Sequence, residues 1–69
     1  MSERYGIYEL HVVAKLTDGK WLATTSITQW GNADAPAVGL MWGRGFATEA
    51  EALSFGISAA KERIDAGGI

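Results

Sequence analysis

The dipeptide Asp18-Gly19 stands between two runs of alternating side chains, and it constrains the fold more than any other feature of the sequence. Both residues of a two-residue type I′ hairpin turn need a positive φ, which an aspartate followed by a glycine adopts readily. With these residues as the turn, Leu16 lies opposite Trp21, and alternate residues before and after this pair share one side of the sheet. The turn chemistry and the apolar pattern thus predict the same hairpin register.

The two predicted strands cover about residues 7–16 and 20–30, and each has two different faces. One face carries Thr25 together with the residues that are expected to form the core of the domain, which are Leu10, Val12, Ala14, Leu16, Trp21, Ala23 and Ile27. The opposite face is half apolar, with Ile7, Glu9, His11, Val13, Lys15, Leu22, Thr24, Ser26, Thr28 and Trp30. This mixed second face is the main indication of function in the sequence.

A loop and a third strand follow the hairpin. Residues 31–36 contain turn formers and the only proline, a pattern that predicts a loop. The third strand is predicted over about residues 37–46, and its core side carries Val38, Leu40, Trp42, Arg44 and Phe46. Its other side carries Met41 and three glycines. These glycines indicate a bulge or twist relief, or else bare backbone that accepts an aromatic ring or a partner.

The last part of the chain has the start, spacing and end of a helix. Thr48 and Glu51 form a capping box, and Gly67-Gly68 supplies the stop, so the helix is predicted over Glu49 to Asp65. Apolar residues at spacings of three and four are expected to face the sheet: Ala50, Leu53, Ile57, Ala60 and Ile64. Phe55 is about 170° away from this stripe at 100° per residue, so it is expected on the solvent side.

These elements predict a single α+β domain over residues 1–69. A three-stranded antiparallel sheet in β-β-β-α order is covered on one face by a single C-terminal helix. Residues 1–6 are expected to form a short polar lead-in. Because one helix covers only one face of a sheet, the far face meets solvent, a partner or a second copy of the chain.

Composition narrows the possible functions. The chain has no cysteine and one histidine, so neither a disulfide framework nor an ordinary structural zinc site is expected. Its net charge of −2 argues against a general phosphate-binding surface. A domain of 69 residues has a small core, and oligomerisation often stabilises such scaffolds. No apolar run could span a bilayer, and the first residues lack a signal-peptide pattern, so a cytoplasmic protein without membrane association is expected.

His11 is the residue that most suggests catalysis, because the register places Ser26 opposite it and Glu9 lies two residues before it. A flat strand face, however, offers neither a concave pocket nor oxyanion donors, and two ligands do not make a metal site. The glycines before the helix lack the lysine and the spacing of a phosphate-binding loop. We therefore expect no enzyme activity, no metal and no cofactor.

The pattern from Gly19 to Ala60 resembles the AP2/ERF DNA-binding domain. The matching segments are Gly-Lys-Trp-x-Ala from Gly19, Gly-Phe-Ala-Thr from Gly45, and then Glu-Ala-Glu-Ala and Ala59-Ala60. The pattern is also similar to the arm-binding domains of tyrosine integrases and to short uncharacterised bacterial proteins. The resemblance implies a three-strand-plus-helix fold that reads DNA with Arg and Trp side chains on the outer sheet face. At those positions only Lys15 is cationic, whereas base readout usually needs Arg, Lys, Asn or Gln.

We therefore expect a small non-enzymatic module that binds protein, and in the first place a homodimer formed through the half-apolar sheet face. The predicted interface residues are Ile7, His11, Val13, Leu22, Thr24, Ser26, Trp30 and Met41. Phe55 on the helix is a secondary interface candidate, and another protein is the other possible partner. The alternative function is a nucleic-acid-binding domain of the AP2/integrase type, in which Lys15, Lys20 and Arg44 would contact phosphates.

Overall fold

The computed structural model describes residues 1–32 and 34–68, which form four strands and one helix. The elements are β1 (Ser2–Tyr5), β2 (Tyr8–Thr17), β3 (Lys20–Gln29), β4 (Val38–Phe46) and α1 (Glu49–Asp65). The strands form one antiparallel sheet in the order β1-β2-β3-β4, and α1 packs on one of its faces. The predicted α+β class with an antiparallel sheet and a C-terminal helix is confirmed, but the predicted number of three strands is wrong.

The additional strand, β1, is formed by residues that were expected to be a polar lead-in. It pairs with the start of β2, so that only Gly6 and Ile7 remain as a two-residue loop. Gly6 has a φ of +61°, which glycine adopts without steric cost. The four residues of β1 are too few and too polar to show a strand period, which explains why the pattern did not reveal this strand.

The central hairpin has the predicted register, with Leu16 opposite Trp21. Asp18 has a φ of +49° and Gly19 a φ of +78°, as a type I′ turn requires. The fully buried residues of the hairpin are Leu10, Val12, Ala23, Thr25 and Ile27. Leu16 was predicted in the core, but it is 54% exposed. It stands next to the turn at the end of the sheet, where its cross-strand neighbour Trp21 is itself only half-buried.

Strand β4 pairs with β3 on both sides of an irregularity. Thr24 pairs with Met41 and Leu22 pairs with Gly45, so three residues of β4 stand opposite the single residue Ala23. This bulge adds two residues to β4, and an even insertion leaves the alternation of its faces unchanged. The predicted sides of β4 are therefore confirmed, and Gly43 is the one of its three glycines that lies in the bulge.

Both ends of α1 are as predicted. Thr48 Oγ1 accepts a hydrogen bond from the backbone N–H of Glu51 at 3.2 Å, and the Thr48 hydroxyl donates to the Glu51 carboxylate at 3.0 Å. At the other end, Gly67 has a φ of +78°, and the N–H groups of Gly67 and Gly68 donate to carbonyl oxygens of the last helical turn. These two bonds form a Schellman motif, which satisfies carbonyl groups that the helix itself leaves unpaired.

The face of α1 that packs on the sheet is rotated from the predicted stripe. Ala52, Gly56, Ile57 and Ala60 are buried, whereas Ala50, which was predicted to face the sheet, is exposed. The small residues let the helix approach the sheet closely: a Cβ added at Gly56 would lie 2.6 Å from a methyl group of the sheet. The pattern of large apolar residues could not show this face, because its centre is a residue without a side chain.

Thr25 lies beneath this close approach and is fully buried. Its hydroxyl donates to the carbonyl oxygen of Gly56 at 3.2 Å and accepts from Trp42 Nε1 at 2.9 Å. The buried hydroxyl thus both donates and accepts a hydrogen bond, which avoids the free-energy cost of burying an unpaired polar group. The hydroxyl joins β3 to both β4 and α1.

Strand β1 is held to the end of α1 by polar contacts. The Tyr5 hydroxyl donates to the two carboxylate oxygens of Asp65, at 2.7 and 2.8 Å. Lys61 of the helix forms an ion pair with Glu3, and its Nζ lies 5.4 Å from the centroid of the Tyr5 ring. The hydrogen bond to Asp65 raises the pKa of Tyr5, because it favours the protonated phenol; desolvation and the negative charge of Asp65 act in the same direction.

We expect the substitution Tyr5→Phe to lower the free energy of unfolding, and to lower it less at a pH high enough to ionise Tyr5. Because the folded-state pKa is raised, the contact stabilises the fold fully below the ordinary tyrosine pKa of about 10, and this contribution is lost as the pH rises through the folded value. Urea unfolding at about pH 8 and about pH 11 measures the effect: the difference in unfolding free energy between the two proteins should shrink at the higher pH. Tyr8→Phe is the matched control, and an equal response of both variants would contradict the prediction.

Candidate functional site

The side of the sheet opposite α1, which we name the outer face, collects side chains from all four strands. The strand registers place these residues on it: Ser2, Arg4, Glu9, His11, Val13, Lys15, Lys20, Leu22, Thr24, Ser26, Thr28 and Met41. Ile7 and Trp30 continue the same alternation just beyond the strands. The helix of the described residues lies on the other side of the sheet, so this face is available to a partner.

Four large apolar side chains of the outer face expose more than half of their surface. The exposed fractions are 61% for Ile7, 63% for Val13, 56% for Trp30 and 86% for Met41. An antiparallel sheet with one solvated face usually turns polar residues to that side. The exposure predicted from the hairpin register is therefore present, and the packing of the domain itself does not account for these residues.

Three apolar residues form a central group, defined as Val13, Leu22 and Met41. Thr24 of β3 pairs with Val13 of β2 and with Met41 of β4, so these residues form one row across the sheet. Leu22 is half-buried and lies in the next row toward the turn, where it pairs with Lys15. The central group thus spans three neighbouring strands.

The other two apolar residues form an end group, defined as Ile7 and Trp30. The carbonyl oxygen of Ile7 accepts a hydrogen bond from the Trp30 N–H at 2.6 Å, and the guanidinium of Arg4 lies 4.7 Å from the centroid of the Trp30 ring. Six residues of extended chain, about 20 Å, separate Ile7 from Val13. The apolar residues of the predicted interface therefore form two groups with polar residues between them.

The polar residues between the groups form a hydrogen-bonded chain. Ser2 Oγ lies 2.9 Å from His11 Nδ1, and His11 Nε2 lies 3.1 Å from Glu9 Oε1. Ser26 pairs with His11 across the strands as predicted, but the hydrogen bond goes to Ser2, which belongs to the strand that sequence reasoning missed. A serine–histidine–carboxylate chain can activate a hydroxyl, yet this one lies on an open strand face that cannot exclude water.

Metal binding finds no support in the part of the chain that the structure describes. The residues there include no cluster of three or more His, Asp or Glu side chains that could hold an ion. His11 and Glu9 together supply fewer ligands than a zinc site requires.

The three cations of the nucleic-acid alternative do not form one patch. Lys15 and Lys20 lie on the outer face, whereas the guanidinium of Arg44 stands on the helix side. Arg4 adds a cation to the outer face at the end away from the turn. Sequence reasoning did not single out Arg4, because its position depends on the pairing of β1.

Phe55 was predicted to point to solvent, but it is half-buried against β4. The centroid of its ring lies 5.0 Å from that of Phe46 and 5.8 Å from that of Trp42. The rotation of α1 accounts for the difference, since it turns this flank of the helix toward the strand. Beside the rings lies an open groove of about 540 Å³, which we name the β4 groove; it is lined by Arg44, Phe46, Ala50, Glu51, Ser54, Phe55 and Ser58.

No protein-family model, curated protein or solved structure matches the chain. The resemblance to the AP2/ERF and integrase arm-binding domains therefore stays a prediction. The helix of the described residues is not long and apolar enough to cross a membrane.

Proposed function

We propose that the protein is a small non-enzymatic module of the cytoplasm that forms a homodimer through its outer face. The observation that carries this proposal is the exposure of Ile7, Val13, Trp30 and Met41 on the side of the sheet away from the helix. Contiguous exposed apolar patches mark protein–protein interaction sites, and Val13, Leu22 and Met41 lie next to one another on three strands. The lack of cysteine fits a reducing compartment.

A two-fold axis that crosses the strands between the rows of Glu9 and His11 makes the outer face self-complementary. Rotation about this axis carries each position onto the one at equal distance on the other side, so Ile7 of one copy meets Val13 of the other. Trp30 of the end group likewise meets Thr24 of the partner, in the row that Met41 continues on β4. Glu9 of one copy meets His11 of the other, which pairs an acid with a potential cation at the centre.

The energies agree with a dimer of modest affinity. Burying one large apolar side chain contributes roughly 1.5–3 kcal/mol, and less when the side chain is already partly covered. Eight such side chains in a two-fold dimer contribute roughly 12–24 kcal/mol before the costs of association are subtracted. A dissociation constant in the micromolar range corresponds to a surplus of about 8 kcal/mol over those costs, so the concentration of the protein decides whether the dimer forms.

Light scattering or sedimentation across a concentration series tests the proposal. We expect the mass to rise from that of one chain to that of two as the concentration passes through the micromolar range. A mass of one chain at high micromolar concentration would contradict self-association. The outer face would then be a docking site for a different protein.

Nucleic acid is the second candidate partner, because the outer face carries Lys15 and Lys20 and an arginine, Arg4, stacked on an exposed tryptophan. The net charge of −2 and the carboxylate of Glu9 near the middle of the face oppose phosphate binding. A gel shift at low salt separates the two proposals. A salt-sensitive complex tighter than about 10⁻⁶ M that Lys15→Glu abolishes would favour nucleic acid.

A further inference from the structure

Strand β4 is the last strand of the sheet, so no strand among the described residues pairs with its outer edge. Such an edge presents backbone N–H and C=O groups that can pair with another strand. A Cβ added at Gly39 or Gly43 would have no atom within 4 Å, so the outer face of β4 is bare at these two positions. The outer edge of β4 is therefore available to an added strand because no described strand occupies it.

The β4 groove lies beside this edge and combines aromatic rings with a cation. The guanidinium carbon of Arg44 is 5.2 Å from the centroid of Phe46 and 5.7 Å from that of Phe55. A guanidinium that stacks on aromatic rings uses its flat face and keeps its N–H groups for bidentate contact with a carboxylate. Arg44 thus lies beside both rings and is exposed to solvent.

The β4 groove contains a cationic side chain, Arg44, without an acidic partner among the described residues. In residues 1–32 and 34–68 the contacts between a basic and an acidic side chain are His11–Glu9 and Lys61–Glu3, so Arg44 has no carboxylate partner there. The carboxylate that lines the groove belongs to Glu51, and it already accepts a hydrogen bond from the capping hydroxyl of the helix. A complementary ligand therefore brings its own carboxylate to Arg44.

We propose that the edge of β4 and the β4 groove together bind an extended acidic segment of another protein, which adds to the sheet as a fifth strand. Alternate side chains of the added strand point toward the helix. An acidic residue meets Arg44, and the apolar residues two positions before and after it contact the rings of Trp42, Phe46 and Phe55. The recognised pattern is apolar-x-acidic-x-apolar. The β4 groove lies on the helix side of the sheet, so a dimer formed through the outer face leaves the groove free.

Fluorescence anisotropy with the labelled peptide Thr-Leu-Thr-Glu-Thr-Leu-Thr tests the ligand side. Its sequence reads the same in both directions, so the result does not depend on strand direction. We expect saturable binding that becomes about ten-fold weaker when the glutamate of the peptide is replaced by glutamine. A version with N-methylated backbone amides should not bind, because it cannot pair with the strand edge. The absence of saturable binding at millimolar concentration, or equal binding of the N-methylated peptide, would overturn the proposal.

The substitution Arg44→Gln completes a double-mutant cycle with the two peptides. We expect it to weaken binding of the glutamate peptide about ten-fold and binding of the glutamine peptide at most about two-fold. Lys15→Gln, which removes a cation from the outer face, is the matched control and should leave both affinities unchanged. Equal losses for both peptides would overturn the role of Arg44. Displacement of the peptide by an oligothymidylate, or a change of oligomeric state in Arg44→Gln, would show that nucleic acid or a second copy occupies the groove instead.

Discussion

The substitution Val13→Glu is expected to raise the dissociation constant of the homodimer by about 100-fold or more. In the proposed two-fold interface it places a carboxylate against Ile7 of the other copy, and the symmetry makes this happen twice. A charge that loses water without gaining a partner costs several kcal/mol. Val13 is 63% exposed in the single chain, so the variant should fold as the wild type does. Sedimentation across a concentration series measures the change.

Leu16→Glu is a matched control for this variant. Leu16 is also a large apolar residue that is more than half exposed, but its pairing with Trp21 places it on the helix side of the sheet. The two substitutions change the net charge equally, so general repulsion affects both. We expect Leu16→Glu to leave the dimer intact, and equal dissociation of the two variants would count against the outer face.

The register of the interface can be tested by adding Ile7→Lys to Val13→Glu. If the two-fold axis runs between the rows of Glu9 and His11, the introduced acid of one copy meets the introduced base of the other. The double variant should then recover much of the affinity that Val13→Glu loses. Failure to recover, with Val13→Glu alone monomeric, would keep the face but reject this placement of the axis.

The second large effect is expected at Gly56, where alanine should lower the unfolding free energy by about 1–2 kcal/mol. The sign is the reverse of the usual one, since alanine in place of a helical glycine normally stabilises by about 1 kcal/mol. Here the new Cβ would lie 2.6 Å from Val12 Cγ1 and 3.1 Å from the Thr25 hydroxyl oxygen. Val12 is buried and β-branched, so the helix must move away from the sheet instead.

Urea unfolding with two comparisons checks this prediction. Ser58→Ala, at an exposed position of the same helix, should be slightly stabilising by its helix propensity alone. In a Val12→Ala background, Gly56→Ala should lose most of its cost, because the clashing methyl group is gone. A net gain in stability from Gly56→Ala in the otherwise wild-type chain would show that the helix does not approach the sheet this closely.

Local chemistry alone determined the central hairpin and the bounds of α1. The positive φ values at Asp18 and Gly19, the cap at Thr48 and the stop at Gly67 each depend on residues adjacent in the chain. Such signals can be read in a sequence because turn and cap geometry restricts the residue types that fit. The alternation of side chains along the strands also placed the apolar residues of the outer face correctly. Each strand residue lies on one of only two faces, so the hairpin register fixes which face it is on.

The tertiary structure decided the features that depend on distant partners. Strand β1 has no apolar period of its own and is held by contacts with the far end of the chain, such as Tyr5 with Asp65. The rotation of α1 occurs because Gly56 lets the helix approach the sheet closely. A glycine has no side chain, so the pattern of apolar residues in the sequence cannot reveal a packing face centred on it. That rotation brings Phe55 to β4 and to Arg44. Periodicity reports which face of an element is buried, but the depth and angle of packing depend on how two surfaces fit together.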